Sequence, residues 1–253
     1  MIELSDLIVE RDHARILDRI DLRFGQGGLT AMIGPNGAGK STLLHAMAGL
    51  LPLAAGRVTV EGLDMPNARP RERARVVALM TQTDRVTARL NVEDLVSFGR
   101  WTHHGGRPGP DDRAAVDEAL ELFDLGPLRD RLLDTLSGGQ RQRAFVAMAH
   151  AQGTPWMLLD EPLAALDPRY VRDLMERLHA ISRPGPGQRS VVVVMHDLAT
   201  AARYADRIVA LKDGRLVTAG PAQLRLTGAL LSDLFDTPLA VETVAGRRLV
   251  VPA

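Results

Sequence analysis

Nine residues of the sequence have the types and the spacing that phosphate binding requires. They follow the pattern G-x-x-x-x-G-K-[ST] and lie between the apolar run Leu29–Ile33 and the helix-like stretch 43–50. Glycines let successive backbone N–H groups turn inward, and the following helix offers the positive end of its dipole. Lys40 would add a positive charge for the β- and γ-phosphates, and Ser41 a hydroxyl ligand for Mg²⁺. The residues predicted to bind a nucleoside triphosphate are Gly34, Pro35, Asn36, Gly37, Ala38, Gly39, Lys40, Ser41 and Thr42.

Residues 155–162 form an apolar strand pattern that ends in two carboxylates. Because ligands of open α/β sheets bind at the carboxyl ends of the strands, Asp160 is predicted to reach the Mg²⁺ held by Ser41. Glu161 is predicted to face the γ-phosphate and to orient the attacking water. A strand followed by a polar turn would look the same in isolation, so this prediction depends on the phosphate-binding loop.

A second candidate anion site lies at the start of another predicted helix, where Ser137 stands at a capping position before two glycines. Two such sites in one chain suggest a triphosphate held between two surfaces. Residues 136–140 read LSGGQ and lie between the phosphate-binding loop and the strand that ends in Asp-Glu. In this order the run resembles the signature motif of the ABC-type ATPases. That resemblance implies a contact with ATP across a dimer interface from Ser137, Gly138, Gly139 and Gln140.

The resemblance covers about residues 2–235 and implies roles for residues whose type alone says little. Gln82, after the apolar run 76–80, is similar to the glutamine that touches Mg²⁺ and senses the membrane subunit. His196, after the run 191–195, is similar to the histidine that contacts the γ-phosphate. The catalytic residues implied are Glu161, His196 and Gln82, and the metal ligands implied are Ser41, Gln82 and Asp160.

Two positions depart from the pattern of this family. Asp167 resembles the aspartate of the D-loop, but Ala164 stands where the family usually has serine, so a hydroxyl contact across the dimer is lost. ABC subunits commonly stack an aromatic residue on adenine, and the corresponding position here is Arg11. A guanidinium plane can also stack on a base, which makes Arg11 a predicted ATP-binding residue and His13 a second candidate.

The composition narrows the functional classes. The 253 residues suffice for one large domain or for a domain with a subdomain, and 45% apolar with 25% charged residues is ordinary for a globular protein. Lys plus Arg and Asp plus Glu both number 31, so no positive excess indicates nucleic acid as a partner. The absence of cysteine excludes disulfides, thiol catalysis and thiolate metal sites. The longest apolar runs are far shorter than the roughly 20 residues of a spanning helix, which predicts a peripheral membrane role.

The pattern of apolar residues predicts an α/β fold. Short continuous apolar runs at 29–33, 76–80, 157–159 and 191–195 are typical of strands covered on both faces of a parallel sheet. Residues 2–9, 16–24 and 57–61 favour an antiparallel sheet beside the phosphate-binding loop. Apolar residues at helical spacing occur at 92–98, 111–125 and 139–152, with no strand pattern between these stretches. Residues 99–110 are predicted as a surface loop.

With the resemblance, the predicted fold class is a P-loop NTPase of the ABC-cassette type. It has an N-terminal antiparallel β subdomain and an inserted α-helical subdomain. We expect an ATP-binding domain over residues 2–236, its helical subdomain over about 84–152, and a short C-terminal tail over 237–253.

The resemblance implies the ATP-hydrolysing subunit of an importer, with Mg²⁺ as cofactor, on the cytoplasmic face of the cell membrane. The expected partners are a second copy of the chain, two permease subunits docked near Gln82 and the helical insert, and indirectly an extracytoplasmic substrate-binding protein. No nucleic acid is expected. Residues 91–101 resemble importers of ferric siderophores, haem and cobalamin, and residues 191–197 and 204–210 are similar to the siderophore branch. Ferric siderophore import is therefore favoured, with haem or cobalamin import as the alternative.

Two other classes use a phosphate-binding loop. Soluble ABC ATPases of chromosomes, DNA repair or ribosomes usually carry long inserts or two cassettes, whereas this chain has one cassette and a short stretch between Lys40 and Ser137. A small-molecule kinase would leave the LSGGQ run unexplained. Transport is therefore the favoured interpretation.

Overall fold

The computed structural model describes residues 1–81, 89–164 and 166–253, and the strands of these ranges form three sheets. The strands are β1 Ile2–Arg11, β2 Ala14–Phe24, β3 Leu29–Ile33, β4 Ala55–Val60, β5 Leu63–Asp64, β6 Val77–Met80, β7 Trp156–Asp160, β8 Ser190–Val194, β9 Arg207–Lys212, β10 Arg215–Pro221, β11 Leu239–Val244 and β12 Arg247–Pro252.

Helices connect these strands, and in the described ranges none of them is both long and apolar enough to cross a membrane. The α-helices are α1 Lys40–Met47, α2 Pro70–Val76, α3 Val92–Phe98, α4 Trp101–His104, α5 Pro110–Leu122, α6 Gly138–Ala151, α7 Pro168–Ile181, α8 Leu198–Tyr204, α9 Ala222–Arg225 and α10 Gly228–Phe235. Two short 3₁₀ turns span Gly126–Leu128 and Leu133–Thr135.

The largest sheet has the strand order β10-β9-β3-β8-β7-β6. Neighbouring strands from β9 to β6 are parallel, and β10 is antiparallel to β9 at the edge. All residues of β3, β7 and β8 are buried, which explains why these strands read as continuous apolar runs. Since parallel strands end at the same edge, the residues that follow β3, β7 and β8 meet there.

Each face of this sheet has its own apolar core. In β8, Val191 and Val193 pack with α3, α5 and α6, whereas Val192 and Val194 pack with α1 and the N-terminal sheet. Side chains alternate between the faces of a strand, so one valine run supplies both cores. The predicted burial of these runs on both faces is confirmed.

The N-terminal sheet is antiparallel, with the order β2-β1-β4-β5. In β2, Ile20, Leu22 and Phe24 are buried and the intervening charged residues are exposed, as the alternation predicts. The sequence did not reveal a bulge at Arg19, whose φ of 51° interrupts the register between β1 and β2. The bulge brings Leu17 to the buried face as well.

Helices α3, α5 and α6 pack against one another, as expected for a helical insert. Two local predictions were wrong. The helix predicted to reach residue 125 ends at Leu122, because Asp124 has a left-handed φ of 50°. The surface loop predicted over 99–110 contains the one-turn helix α4, which Gly105 ends in a left-handed conformation.

The segment after residue 236 is folded. It forms a β-hairpin, β11–β12, whose Val241 and Val250 pack on the core of the large sheet. Strand β12 lies against α8, the helix that follows the strand end at β8. The limits expected from sequence, 2–236 for the ATP-binding domain and about 84–152 for its helical part, stay a prediction.

Gly99 allows the end of α3 to approach α6 closely. A Cβ atom at this position would lie 2.2 Å from the carbonyl oxygen of Met148. The next residue, Arg100, donates from Nε to Asp112 Oδ1 at 3.1 Å and from Nη1 to the Ala151 oxygen at 3.1 Å. Gly99 and Arg100 together join α3 to both α5 and α6.

We expect Gly99→Ala to lower the free energy of unfolding by about 1–3 kcal/mol, because the added methyl group must displace backbone of α6. Urea denaturation monitored by circular dichroism measures the change. Gly126→Ala is the matched control, since a Cβ at Gly126 meets no atom within 4 Å and its φ is not positive. Equal stability of the two variants would contradict the packing role of Gly99.

Candidate active site

The loop 34–42 joins β3 to α1 and is held between two strands of different sheets. A Cβ on Gly34 would lie 2.1 Å from the carbonyl oxygen of Leu211 in β9, and one on Gly39 would lie 2.7 Å from Leu17 Cδ2 in β2. Gly39 has a φ of 94° and is the N-cap of α1, so no side chain caps the first N–H groups of this helix. Uncapped N–H groups at a helix start are the donors that phosphate oxygens accept.

Lys40 lies at this helix start and is only 6% exposed. Its Nζ donates to the carbonyl oxygens of Gly34 and Pro35, each at 2.8 Å. Burial lowers the pKa of Lys40 from its ordinary value, and the carboxylates of Glu161 and Asp160 oppose this effect. The ammonium group is therefore fixed at the loop, close to two acidic residues.

Ser41 and Asp160 face each other across the end of β7. Ser41 Oγ donates to Asp160 Oδ1 at 3.0 Å. Asp160 is 4% exposed; its burial raises the pKa of the carboxyl group, and the bond from Ser41 opposes the rise.

This pair of oxygens suits Mg²⁺, which in nucleotide sites takes one or two protein ligands and completes its shell with water and phosphate. The described residues contain no cluster of three or more His, Cys, Asp or Glu side chains that could hold a metal ion. A Mg²⁺ site of this kind does not need such a cluster. The third expected ligand, Gln82, lies outside the described residues. The donor set that is described fits the predicted ion.

Glu161 and His196 follow the neighbouring strands β7 and β8. The His196 Nε2 atom lies 2.6 Å from Glu161 Oε1, so the two side chains are hydrogen-bonded. Glu161 adopts a left-handed backbone with φ of 50°, which is uncommon outside glycine. Its carbonyl oxygen accepts from Gln142 Nε2 and from the Ala164 N–H, both at 3.1 Å.

The LSGGQ residues form the start of α6. Ser137 is the N-cap: its Oγ accepts from the Gln140 N–H at 3.2 Å, and Gln140 Oε1 accepts from the Ser137 N–H at 3.0 Å. This reciprocal capping box fixes the turn. Ser137 and Gly138 are exposed, and among the described residues no hydrogen bond links 137–140 to the loop 34–42. The structure thus does not join the two predicted anion sites within one chain.

Arg11 and Asp167 lie at other edges of the site. Arg11 ends β1 and lines, with Ile16, Thr42 and His45, a cavity of about 230 Å³ beside the phosphate-binding loop. His13, the second candidate for the base, lies in the exposed β1–β2 turn and is not among the lining residues. Asp167 is exposed at the N-cap of α7, and its carboxylate caps no N–H of that helix.

Comparison with known proteins decides the family. A profile described as "ABC transporter" matches residues 17–164. This chain belongs to the ABC transporter family. The resemblance inferred from the LSGGQ run and the expected ATPase class are therefore confirmed.

Similar ABC proteins extend the match to nearly the whole chain. The petrobactin import ATP-binding protein of Bacillus subtilis is 35% identical over 99% of this chain and 99% of its own length. A hemin import ATP-binding protein of Streptomyces coelicolor is 39% identical over 94% of this chain and 84% of its length. A solved dimeric ATP-binding cassette, bound to ADP and Pi after hydrolysis, has a TM-score of 0.77 at 25% identity and covers 87% of this chain and 98% of that one. The predicted ABC-cassette fold is confirmed.

One residue at the site was not found from the sequence. Gln142 contacts the Glu161 carbonyl, yet in the sequence it is one of several polar residues at the start of a helix. Only the crossing of α6 over the end of β7 distinguishes it from its neighbours.

We expect Asp160→Asn to stabilise the protein in the absence of nucleotide. Burial raises the pKa of Asp160 above its unfolded value, so stability is lost as the pH rises through the folded-state pKa. The variant lacks this charge, and its Tm at pH about 7.5 should exceed that of the wild type by about 2–4 °C, the shift that about 1 kcal/mol produces in a chain of this length. Differential scanning calorimetry measures it.

The gain should shrink as the pH falls toward about 4, where aspartate in an unfolded chain also becomes neutral. Asp134→Asn serves as the control, because the Asp134 side chain is exposed and its charge is therefore already in contact with water. An equal gain in both variants, or a gain that persists in acid, would contradict the assignment to the buried charge.

Proposed function

We propose that this chain hydrolyses ATP to drive the uptake of a ferric siderophore, as a subunit on the cytoplasmic face of the cell membrane. The observation that carries the ATPase assignment is the convergence of three groups at one sheet edge: the Lys40 ammonium, the Ser41–Asp160 oxygen pair and the hydrogen-bonded Glu161 and His196. Together they provide phosphate binding, metal ligation and a base for water, which hydrolysis of a triphosphate requires.

In the proposed mechanism, loop 34–42 and the start of α1 bind the phosphates, and Lys40 neutralises charge on the β- and γ-phosphates. Glu161 orients water and accepts its proton on the carboxylate. His196 steadies the γ-phosphate from the neighbouring strand end. Mg²⁺, when bound, would withdraw charge from the phosphate oxygens, and Ser41, Asp160 and Gln82 are the residues proposed to hold it.

A second copy of the chain is proposed to complete the site. Ser137 and Gly138 of the turn 137–140 are exposed, and the turn presents a helix N-terminus, which would close over an ATP bound to loop 34–42 of the partner. The similar solved cassette is a dimer bound to ADP and Pi, which supports this arrangement. Asp167 would lie at the same interface, and Arg11 is proposed to stack on adenine from the cavity beside Thr42.

The helical part offers a surface for the permease subunits. A groove of about 590 Å³ lies between α3, α4 and α5, and two of its aromatic side chains, Phe98 and Trp101, are 49% and 55% exposed. Exposed aromatic rings that line a groove are typical of protein interfaces. We propose that a cytoplasmic helix of each permease subunit docks here and transmits the closure of the ATP site. The extracytoplasmic binding protein would act only through the permease.

The cargo is proposed from the similar proteins, which are named for the import of petrobactin and of hemin. Both names support an iron-containing compound. We favour a siderophore over haem or cobalamin because residues 191–197 and 204–210 are similar to the siderophore branch. In the stretch 91–101, Gly99 and Arg100 also hold the walls of the groove proposed for the permease.

We expect Glu161→Gln to lose about 10²–10⁴-fold in ATP turnover while it still binds ATP, because the amide cannot accept the proton of water. Unhydrolysed ATP should hold the variant as a dimer, which light scattering after gel filtration detects.

Ser137→Arg should block both the dimer and hydrolysis, with ATP binding to the monomer retained. Normal hydrolysis by Ser137→Arg would disprove an ATP site shared between two copies of the chain. Normal turnover by Glu161→Gln would show that Glu161 is not the base.

The cargo and the docking groove can be tested in the assembled transporter. Liposomes that contain this chain with its permease and binding protein should hydrolyse ATP faster when the binding protein carries a ferric siderophore than when it carries haem or cobalamin. Trp101→Asp should abolish this stimulation and leave the ATPase of the isolated chain within about twofold, since the groove lies outside the ATP site. Stimulation by haem or cobalamin alone would refute the siderophore proposal.

A further inference from the structure

Gln142 joins the helix of the LSGGQ turn to the backbone of Glu161, the residue proposed as the base, in the same chain. It lies on α6 five positions after the N-cap Ser137, and its Nε2 donates to the Glu161 carbonyl oxygen at 3.1 Å. Beyond this point α6 is mostly buried among the apolar residues of the core. A helix fixed in this way moves as one body, so a shift of its first turn is passed to Gln142.

Glu161 needs such support because its backbone conformation is disfavoured. A non-glycine residue with φ of 50° persists only where its surroundings hold it. Its carbonyl oxygen has two donors, the Ala164 N–H within the same turn and the Gln142 side chain from α6. Of these two donors, only Gln142 connects Glu161 to a different element, and it thereby helps to set where the carboxylate points.

The neighbouring residue on α6 makes contacts that lead away from the site. The guanidinium of Arg143 stacks over the Tyr170 ring of α7 at 4.9 Å and donates to the Phe123 carbonyl oxygen at 3.1 Å. These contacts anchor the helix to α7 and to the end of α5. Among the described side-chain hydrogen bonds of α6, the one that reaches Glu161 is made by Gln142.

We infer that Gln142 is a positioning residue that couples the two ATP sites of the dimer. This inference rests on the proposed function, in which residues 137–140 touch the ATP on the partner's loop while Glu161 acts on the ATP of its own chain. ATP that engages the turn fixes the start of α6, and with it the Gln142 bond that holds Glu161 in its working conformation. Hydrolysis at one site thus depends on occupancy of the other.

The first test replaces Gln142 by methionine, which keeps the length of the side chain and removes the donor. In the full-length protein Gln142→Met should lower kcat by about 10- to 100-fold through misplacement of Glu161. The Hill coefficient for ATP should fall to about 1, and the affinity of the monomer for ATP should stay within about twofold. ATP-dependent dimers should still form in the Glu161→Gln background.

Gln188→Met is the matched control. Gln188 also donates from Nε2 to a backbone carbonyl, that of Ser182 at 3.3 Å, but far from the site. Its kcat and Hill coefficient should equal those of the wild type, and the Tm of the two methionine variants should agree within about 2 °C.

A second variant separates positioning from packing. In Gln142→Glu the carboxylate cannot donate to the Glu161 carbonyl, whereas the protonated acid can. Its kcat, relative to that of the wild type, should therefore rise as the pH is lowered from about 8 to about 6, since a carboxyl group opposite a carbonyl has a raised pKa. Gln142→Met should show no such recovery.

Three results would overturn the inference. Gln142→Met could match Gln188→Met in kcat and Hill coefficient, or it could lose ATP binding and Tm together, which would make Gln142 a structural residue only. A pH profile of Gln142→Glu that parallels that of Gln142→Met would also exclude the hydrogen bond as the cause. A wild-type protein without ATPase activity or ATP-dependent dimers would instead disprove the proposed function, and this inference with it.

Discussion

Lys40 carries its charge inside the protein, and its hydrogen-bond partners are two carbonyl groups rather than a carboxylate. Asp160, also buried, has a hydroxyl group as its partner. Burying a charge without an ion pair costs free energy, and these hydrogen bonds offset part of that cost. The packed sheet keeps the hydrogen-bonding groups in place. The valines of β8 fill one core on each face of the sheet, so the sheet edge cannot relax around the charged groups.

The elements that the sequence predicts best are those with a strong local pattern. The strands of the parallel sheet are apolar throughout because both faces are covered, and β2 alternates because one face meets water. The phosphate-binding loop and the strand end at Asp160 and Glu161 were also predictable, because their chemistry requires fixed residue types at fixed spacing. Their roles in catalysis stay predictions.

Features that depend on contacts between distant segments were missed. Gly99 has an ordinary φ, so its backbone conformation does not require glycine. Glycine is required because α3 and α6 cross too closely there to leave room for a Cβ atom. Gln142 has no spacing that sets it apart from its neighbours, since the Glu161 carbonyl becomes its partner only in three dimensions. The order of the last hairpin likewise depends on packing against α8 rather than on its short strands.

That hairpin also has a consequence for how the protein is made. Synthesis runs from the N-terminus, and domains fold as their segments emerge. Both predicted anion sites, loop 34–42 and turn 137–140, lie in the earlier part of the chain. In contrast, α8, which follows His196, is covered by β12 only when residues 247–252 have emerged. The phosphate-binding loop itself lies against Leu211 of β9, so neither half of the reaction centre is complete before the chain beyond residue 211 has emerged, and the cover of α8 is the last part to form.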